Sequence, residues 1–153
     1  MEPTQLLTSF IALIAVYIAY QQWETNRQKL RLDLYQKRFA VYENVLAFYH
    51  ILYAGDHVTD KERFAIENNF IKSCRESQFL FCDKDGIFQL LNAMSSKTPI
   101  LKNVTATSRA YRGDPEGMIK VLEDHSAAMT FVENAIPELE KKLAKYLNFH
   151  KAH

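Results

Sequence analysis

The sequence predicts an all-α protein: a single N-terminal transmembrane helix continuing into an antiparallel helical bundle of about four long helices. Three observations predict it. Glycine and proline number four each among 153 residues, too few for a turn-rich β fold. Apolar residues recur at spacings of three and four along most of the chain, the period of one helix face. No charge occurs from Pro3 to Trp23, a run of roughly 31 Å as a helix, about one hydrocarbon thickness. The expected domains are a transmembrane anchor over residues 4–23 and a cytoplasmic bundle over residues 24–153.

The strictly apolar centre of the anchor, Leu6 to Tyr20, is short and needs its polar flanks to complete a span. Thr4 is a candidate cap for its start. Tyr17, Tyr20 and Trp23 gather at its C-terminal end, where an aromatic belt would sit. A cleaved signal peptide would need a basic start and a small-residue cleavage site. Here Glu2 stands in place of the basic residues, and VYIAYQQW is bulky. A buried soluble helix is the remaining alternative. Residues 24–42 carry Arg27, Lys29, Arg31, Lys37 and Arg38 against Glu24 and Asp33, whereas the other flank carries only Glu2 and the amino terminus. The positive-inside rule then places the N-terminus outside and residues 24–153 in the cytoplasm. The same basic residues can hold the helix end against anionic headgroups. Thr8 with Ala12, and Ala15 with Ala19, are small residues four apart that let two spans approach closely.

Beyond the anchor, glycines at 55, 86, 113 and 117 punctuate helical patterns. The first helix runs unbroken out of the span to about Tyr53. Along it Tyr35, Phe39, Tyr42, Leu46, Tyr49 and Tyr53 are spaced 4-3-4-3-4, as in a bundle seam. Leu34, Val41, Val45, Phe48 and Leu52 form a second row. Only a narrow strip through Gln36, Ala40, Glu43, Ala47 and His50 is left. A helix this apolar needs cover on more than one side, inside a bundle or against another subunit. The tyrosines read as core packing with hydroxyls at an edge, in preference to a ligand or nucleic-acid platform.

AGDHVTDKE is a connector in which Thr59 and Glu62 form a capping box. The second helix carries Phe64, Phe70, Ile71 and Cys74 and ends in SQFLFCDKDG. Asp83 or Asp85 starts a third. SSKTP is a candidate break within it, with Thr98 as a new cap and Pro99 at the first helical position. RGDPEG is a tight turn with Asp114 capping and Pro115 at N1, and carries no meaning as an adhesion tripeptide. In the last helix Met118, Leu122, His125, Met129, Val132, Ile136, Leu139, Leu143 and Tyr146 keep heptad spacing, with His125 the one polar member. Pro137 should kink this helix near Glu133 or divide it around Asn134.

The run KLRLDLYQKRFAVYE, Lys29 to Glu43, directly after an apolar anchor resembles that of a group of small bacterial proteins with one N-terminal membrane anchor and a helical cytoplasmic domain. FLF at Phe79–Phe81 and the closing LxKYLxF at Leu143–Phe149 extend the resemblance. It implies a protein of the bacterial inner membrane and brings no catalytic residues with it.

The five histidines are the natural candidates for a metal site. None of His50, His57, His125, His150 and His153 has a glutamate three residues before it, so the di-iron bundle pattern is absent. His-Glu-x-x-His and Cys-x-x-Cys are absent as well. His150 and His153 could share a weak metal site at the chain end. His125 reads as a core histidine held by a tyrosine hydroxyl or a carbonyl, with a register or pH-sensing role as the sharper alternative. Cys74 and Cys82 lie roughly 12 Å of helical rise apart, too far to bridge, and free thiols suit a reducing compartment. Cys74 has Arg75 and Lys72 nearby, which could lower its pKa, but its apolar row favours a buried structural thiol. No nucleophile elbow or phosphate-cradling glycine loop exists. The net charge of +1 gives no drive toward nucleic acid.

These residues assign no catalytic, cofactor-binding or metal site and call for no cofactor. They favour a non-enzymatic, membrane-tethered interaction or scaffold module at the inner face of the bacterial membrane, self-associating or bound to a protein partner. An oligomerising membrane effector of a stress or phage-defence response is the alternative that the small-residue face raises. A third reading is an enzyme or ligand binder with tyrosines, His125 and acidic residues around a core pocket.

Overall fold

The computed structural model is all-α, with four α-helices and no strand among the described residues. It describes residues 3–53, 58–111 and 114–147, with side chains for all of these except 3–7, 9 and 103–110. The helices are α1 (Pro3–Tyr53), α2 (Asp60–Leu80), α3 (Ile87–Ala110) and α4 (Pro115–Leu147). The chain divides into two compact units, residues 1–36 and 37–153.

In the first unit the apolar side chains from Phe10 to Trp23 are exposed throughout; Leu13 is 69% and Val16 68% accessible. Their polar successors bond along the helix. Gln21 donates to the Tyr17 hydroxyl (3.1 Å), Thr25 to the Gln21 carbonyl (2.8 Å) and Gln28 to Glu24 (3.2 Å). Among the described residues, no helix is long and apolar enough to cross a membrane. The expected span also draws on Leu6 and Leu7, and its expected cap is Thr4; these side chains lie outside the described residues.

The second unit is an antiparallel four-helix bundle, and its polar contacts reveal the order. Going up α1, Arg38, Asn44 and Phe48 meet Leu80, Ser73 and Phe70 going down α2. Tyr42 and Tyr53 of α1 likewise meet Glu140 and Glu133 of α4. Glu67 and Cys74 of α2 face Lys102 and Leu91 of α3, and α3 packs along α4. Each helix therefore touches two neighbours in chain order. At the centre Phe48 and Phe70 stack with centroids 4.1 Å apart. Burying each ring contributes about 1.5–3 kcal/mol.

The two rows expected on α1 are ranked by this packing. Val41, Val45 and Phe48 of the second row are buried together with Ile51, while Leu34 is exposed and Leu52 half-buried; the tyrosine row is half-buried or exposed at its edge. On α2 the buried row is Glu67, Phe70, Ser73, Cys74 and Ser77. Phe64 and Ile71 fall on the row beside it and are exposed. The capping box forms as expected: the Glu62 amide donates to the Thr59 hydroxyl (3.3 Å), and the Thr59 amide to the Glu62 carboxylate (3.1 Å).

Three expectations need correction. Neither Asp83 nor Asp85 starts α3; both lie in a 3-10 turn closed by Gly86, whose φ of 66° is left-handed, and α3 begins at Ile87. Pro99 does not break α3, and Thr98 is not a cap. Leu91, Met94, Thr98 and Leu101 form one buried row that crosses the proline, which itself faces outward. Pro137 does not divide α4 either, because Ala128, Val132, Ala135, Leu139 and Leu143 carry the buried row past it. In both helices core burial on one face outweighs one missing hydrogen bond on the other. The expected α4 seam also shifts at its start, since Met118 and Leu122 are exposed and the alanines at 128 and 135 pack inside.

The turn into α4 follows the sequence. The Gly117 amide donates to the Asp114 side chain (3.2 Å), with Pro115 as the first helical residue. A Cβ on Gly117 would stand 2.3 Å from the Tyr111 ring, so glycine is what lets that ring close over the turn.

Candidate functional site

The densest polar constellation lies at one end of the bundle, around Asp85. The 3-10 turn between α2 and α3 holds this carboxylate against the last turns of α4. Tyr146 donates to one Asp85 oxygen and Lys145 pairs with the other. Lys142 donates to the Asp85 carbonyl (2.9 Å), and the Cys82 amide donates to the Tyr146 hydroxyl (3.1 Å). Arg38 closes the group from α1. Its Nε donates to the Leu80 carbonyl (3.0 Å), and its guanidinium lies 4.5 Å from the Tyr146 ring and 5.9 Å from that of Phe81. Arg38 of α1, Phe81 at the end of α2 and Tyr146 of α4 thus converge here.

The electrostatics are those of a latch. Hydrogen bonds from Lys145 and Tyr146 hold the Asp85 carboxyl below the usual carboxylate range. The bond to Asp85 raises Lys145, and burial together with the Asp85 bond raises the Tyr146 phenol. Each group is stabilised in its ordinary charge state, the opposite of what a general acid or base working near neutrality requires. The cluster is not legible in the sequence, because Asp85 and Tyr146 are brought together only by the fold.

The residues weighed for chemistry do not assemble. His50 is exposed and His125 half-buried; His57, His150 and His153 lie outside the described residues. Among the described residues no tyrosine or carbonyl bonds His125, and no group of three or more His, Cys, Asp or Glu could hold a metal ion. Cys74 is buried, its thiol 3.5 Å from the Leu91 carbonyl, and burial pushes its pKa up to about 12. That outweighs any lowering by Lys72 or Arg75, which are exposed. Cys82 is free and exposed. The α1 tyrosines tie α1 to α4: Glu140 raises the Tyr42 phenol through its hydrogen bond, and burial together with Glu133 raises that of Tyr53.

Three surfaces remain. The apolar side chains from Phe10 to Trp23 stand exposed, and beside their polar end a groove of about 400 Å³ is lined by Tyr17, Ile18, Gln21, Gln22, Thr25, Asn26 and Lys29. Between α1 and α2 a groove of about 340 Å³ has Ala40 and Leu80 among its apolar lining, Lys37, Lys72 and Glu76 as its charges, and Phe79, which is 85% exposed. At the start of α4, Met118, Ile119 and Leu122 are exposed near Tyr111. Neither groove reaches His125. No protein-family model, curated protein or solved structure matches this chain.

Proposed function

We propose that the chain is a membrane-tethered helical interaction module, held by residues 4–23 at the inner face of the bacterial membrane and self-associating through its bundle. The observation that carries the reading is the exposure of the apolar side chains from Phe10 to Trp23. Exposed apolar surface on that scale marks a membrane or protein contact. The aromatic cluster Tyr17, Tyr20 and Trp23, followed by Arg27, Lys29 and Arg31, has the chemistry of an interface anchor with a basic cytoplasmic side. Phe79 and the α4 start supply apolar ground for a second copy or a protein partner. The polar groups of the Asp85 cluster bond one another, which favours a structural role for them over catalysis. The family resemblance implies the same localisation.

The test is fractionation of cells expressing the full chain. It should sediment with membranes, resist alkaline carbonate and carry a C-terminal reporter that is active only in the cytoplasm. Recovery in the supernatant, or an extracytoplasmic reporter, overturns the reading. The effector alternative rests on Ala12, Ala15 and Ala19, all exposed on α1. It requires that expression depolarise cells and that Ala15→Leu with Ala19→Leu abolish the effect.

A further inference from the structure

We propose that Gln22, Asn26 and Lys29 form a binding site for the phosphate of an anionic phospholipid. The proposal rests on the membrane reading above and names the lipid class that this helix face selects. At 100° per residue the three positions fall within about 60° of one another, one face of α1. They share the groove that has Tyr17 and Ile18 at its other end. Its remaining polar groups are already engaged, Gln21 with the Tyr17 hydroxyl and Thr25 with the Gln21 carbonyl. Gln22, Asn26 and Lys29 make no hydrogen bond or ion pair among the described residues. Two amide groups and an ammonium therefore stand ready as donors on one side. Phosphate oxygens are acceptors only, so the match is complementary in charge and in hydrogen bonding.

Position along the helix agrees. Helical side chains lean toward the N-terminus. A Lys29 side chain that follows this lean carries its ammonium toward Asn26 and Gln22, on the side where the apolar residues begin. An amphiphile laid in this groove meets Ile18 with its acyl chain and the three donors with its phosphate. The neighbouring cation Arg27 is occupied differently, paired with Glu24 at 3.9 Å and lying 5.5 Å from the Trp23 ring. Arg31 lies on the opposite face, about 180° from Gln22.

Trp23 is the single tryptophan of the chain and adjoins the site, so it reports lipid contact. The full chain is reconstituted in phosphatidylcholine vesicles, and Trp23 quenching is compared for brominated phosphatidylglycerol and brominated phosphatidylcholine. Phosphatidylglycerol should be preferred about fivefold, the ratio expected for one basic contact at a membrane surface. Lys29→Gln should bring the ratio close to one, whereas Arg31→Gln, with the same change of charge, should leave it. Equal quenching by the two lipids, or equal loss in the two variants, overturns the site while the anchor stands. Quenching by neither lipid overturns the anchor and the site together.

Discussion

Asp85 accepts from Lys145 on one oxygen and from Tyr146 on the other, and its pKa is lowered in the folded chain. A carboxylate with a depressed folded pKa stabilises above its unfolded pKa, and that contribution fades as pH falls through the folded value. The stability gap between the wild type and Asp85→Asn is therefore expected to close as pH drops below about 4, measured by urea unfolding of the full chain in detergent. A gap that is flat with pH would show that the carboxylate's charge does not hold this end of the bundle. The two cysteines offer a second residue-scale check. Cys74 is buried with its pKa pushed up to about 12, and Cys82 is exposed. Iodoacetamide should add one adduct to the folded chain and two in denaturant, read by intact mass. The burial of Cys74 was legible in its apolar row. The Asp85 cluster was not, because nothing local links a turn acid to residues in the last helix.

At the scale of elements, the starts of α2 and α4 were legible, and the start of α3 and the effects of the internal prolines were not. A cap is a local bond, so Thr59, Glu62 and Asp114 announce themselves by spacing. Thr59→Ala should destabilise by about 1 kcal/mol. A proline's effect depends on what the rest of its helix buries. At Pro99 and Pro137 the buried rows continue across an outward-facing ring, and the helices continue with them. Pro99→Ala should then stabilise the bundle, by up to about 3 kcal/mol, seen as a higher urea midpoint. Destabilisation would mean that the ring packs usefully where it lies. Gly86 marks the one change of direction with a left-handed φ among the described residues. Its neighbouring aspartates read as helix starters, but the turn draws them into the 3-10 segment, where Asp85 meets α4.

For the whole molecule, the unanswered surfaces matter most. The groove with Phe79 and the start of α4 with Met118, Ile119 and Leu122 are apolar and exposed. Light scattering of the purified full chain in detergent should give a protein mass above that of one 17.8 kDa chain. Phe79→Ser or Leu122→Glu should lower it without lowering the unfolding midpoint. A mass of one chain at every concentration would remove self-association from the proposal. Both substitutions are at exposed positions, so loss of folding does not confound the result.

Composition, heptad spacing and capping signals were sufficient for an all-α chain and for the caps at the starts of α2 and α4. These properties arise from bonds and burial patterns repeated within a few residues, and such patterns are written locally. Tertiary structure alone decided which of two apolar rows on α1 faces inward, how far the α4 seam is covered, and that Arg38, Asp85 and Tyr146 meet. Those outcomes depend on which surfaces compete for the same core volume, and that competition exists only once all four helices are packed.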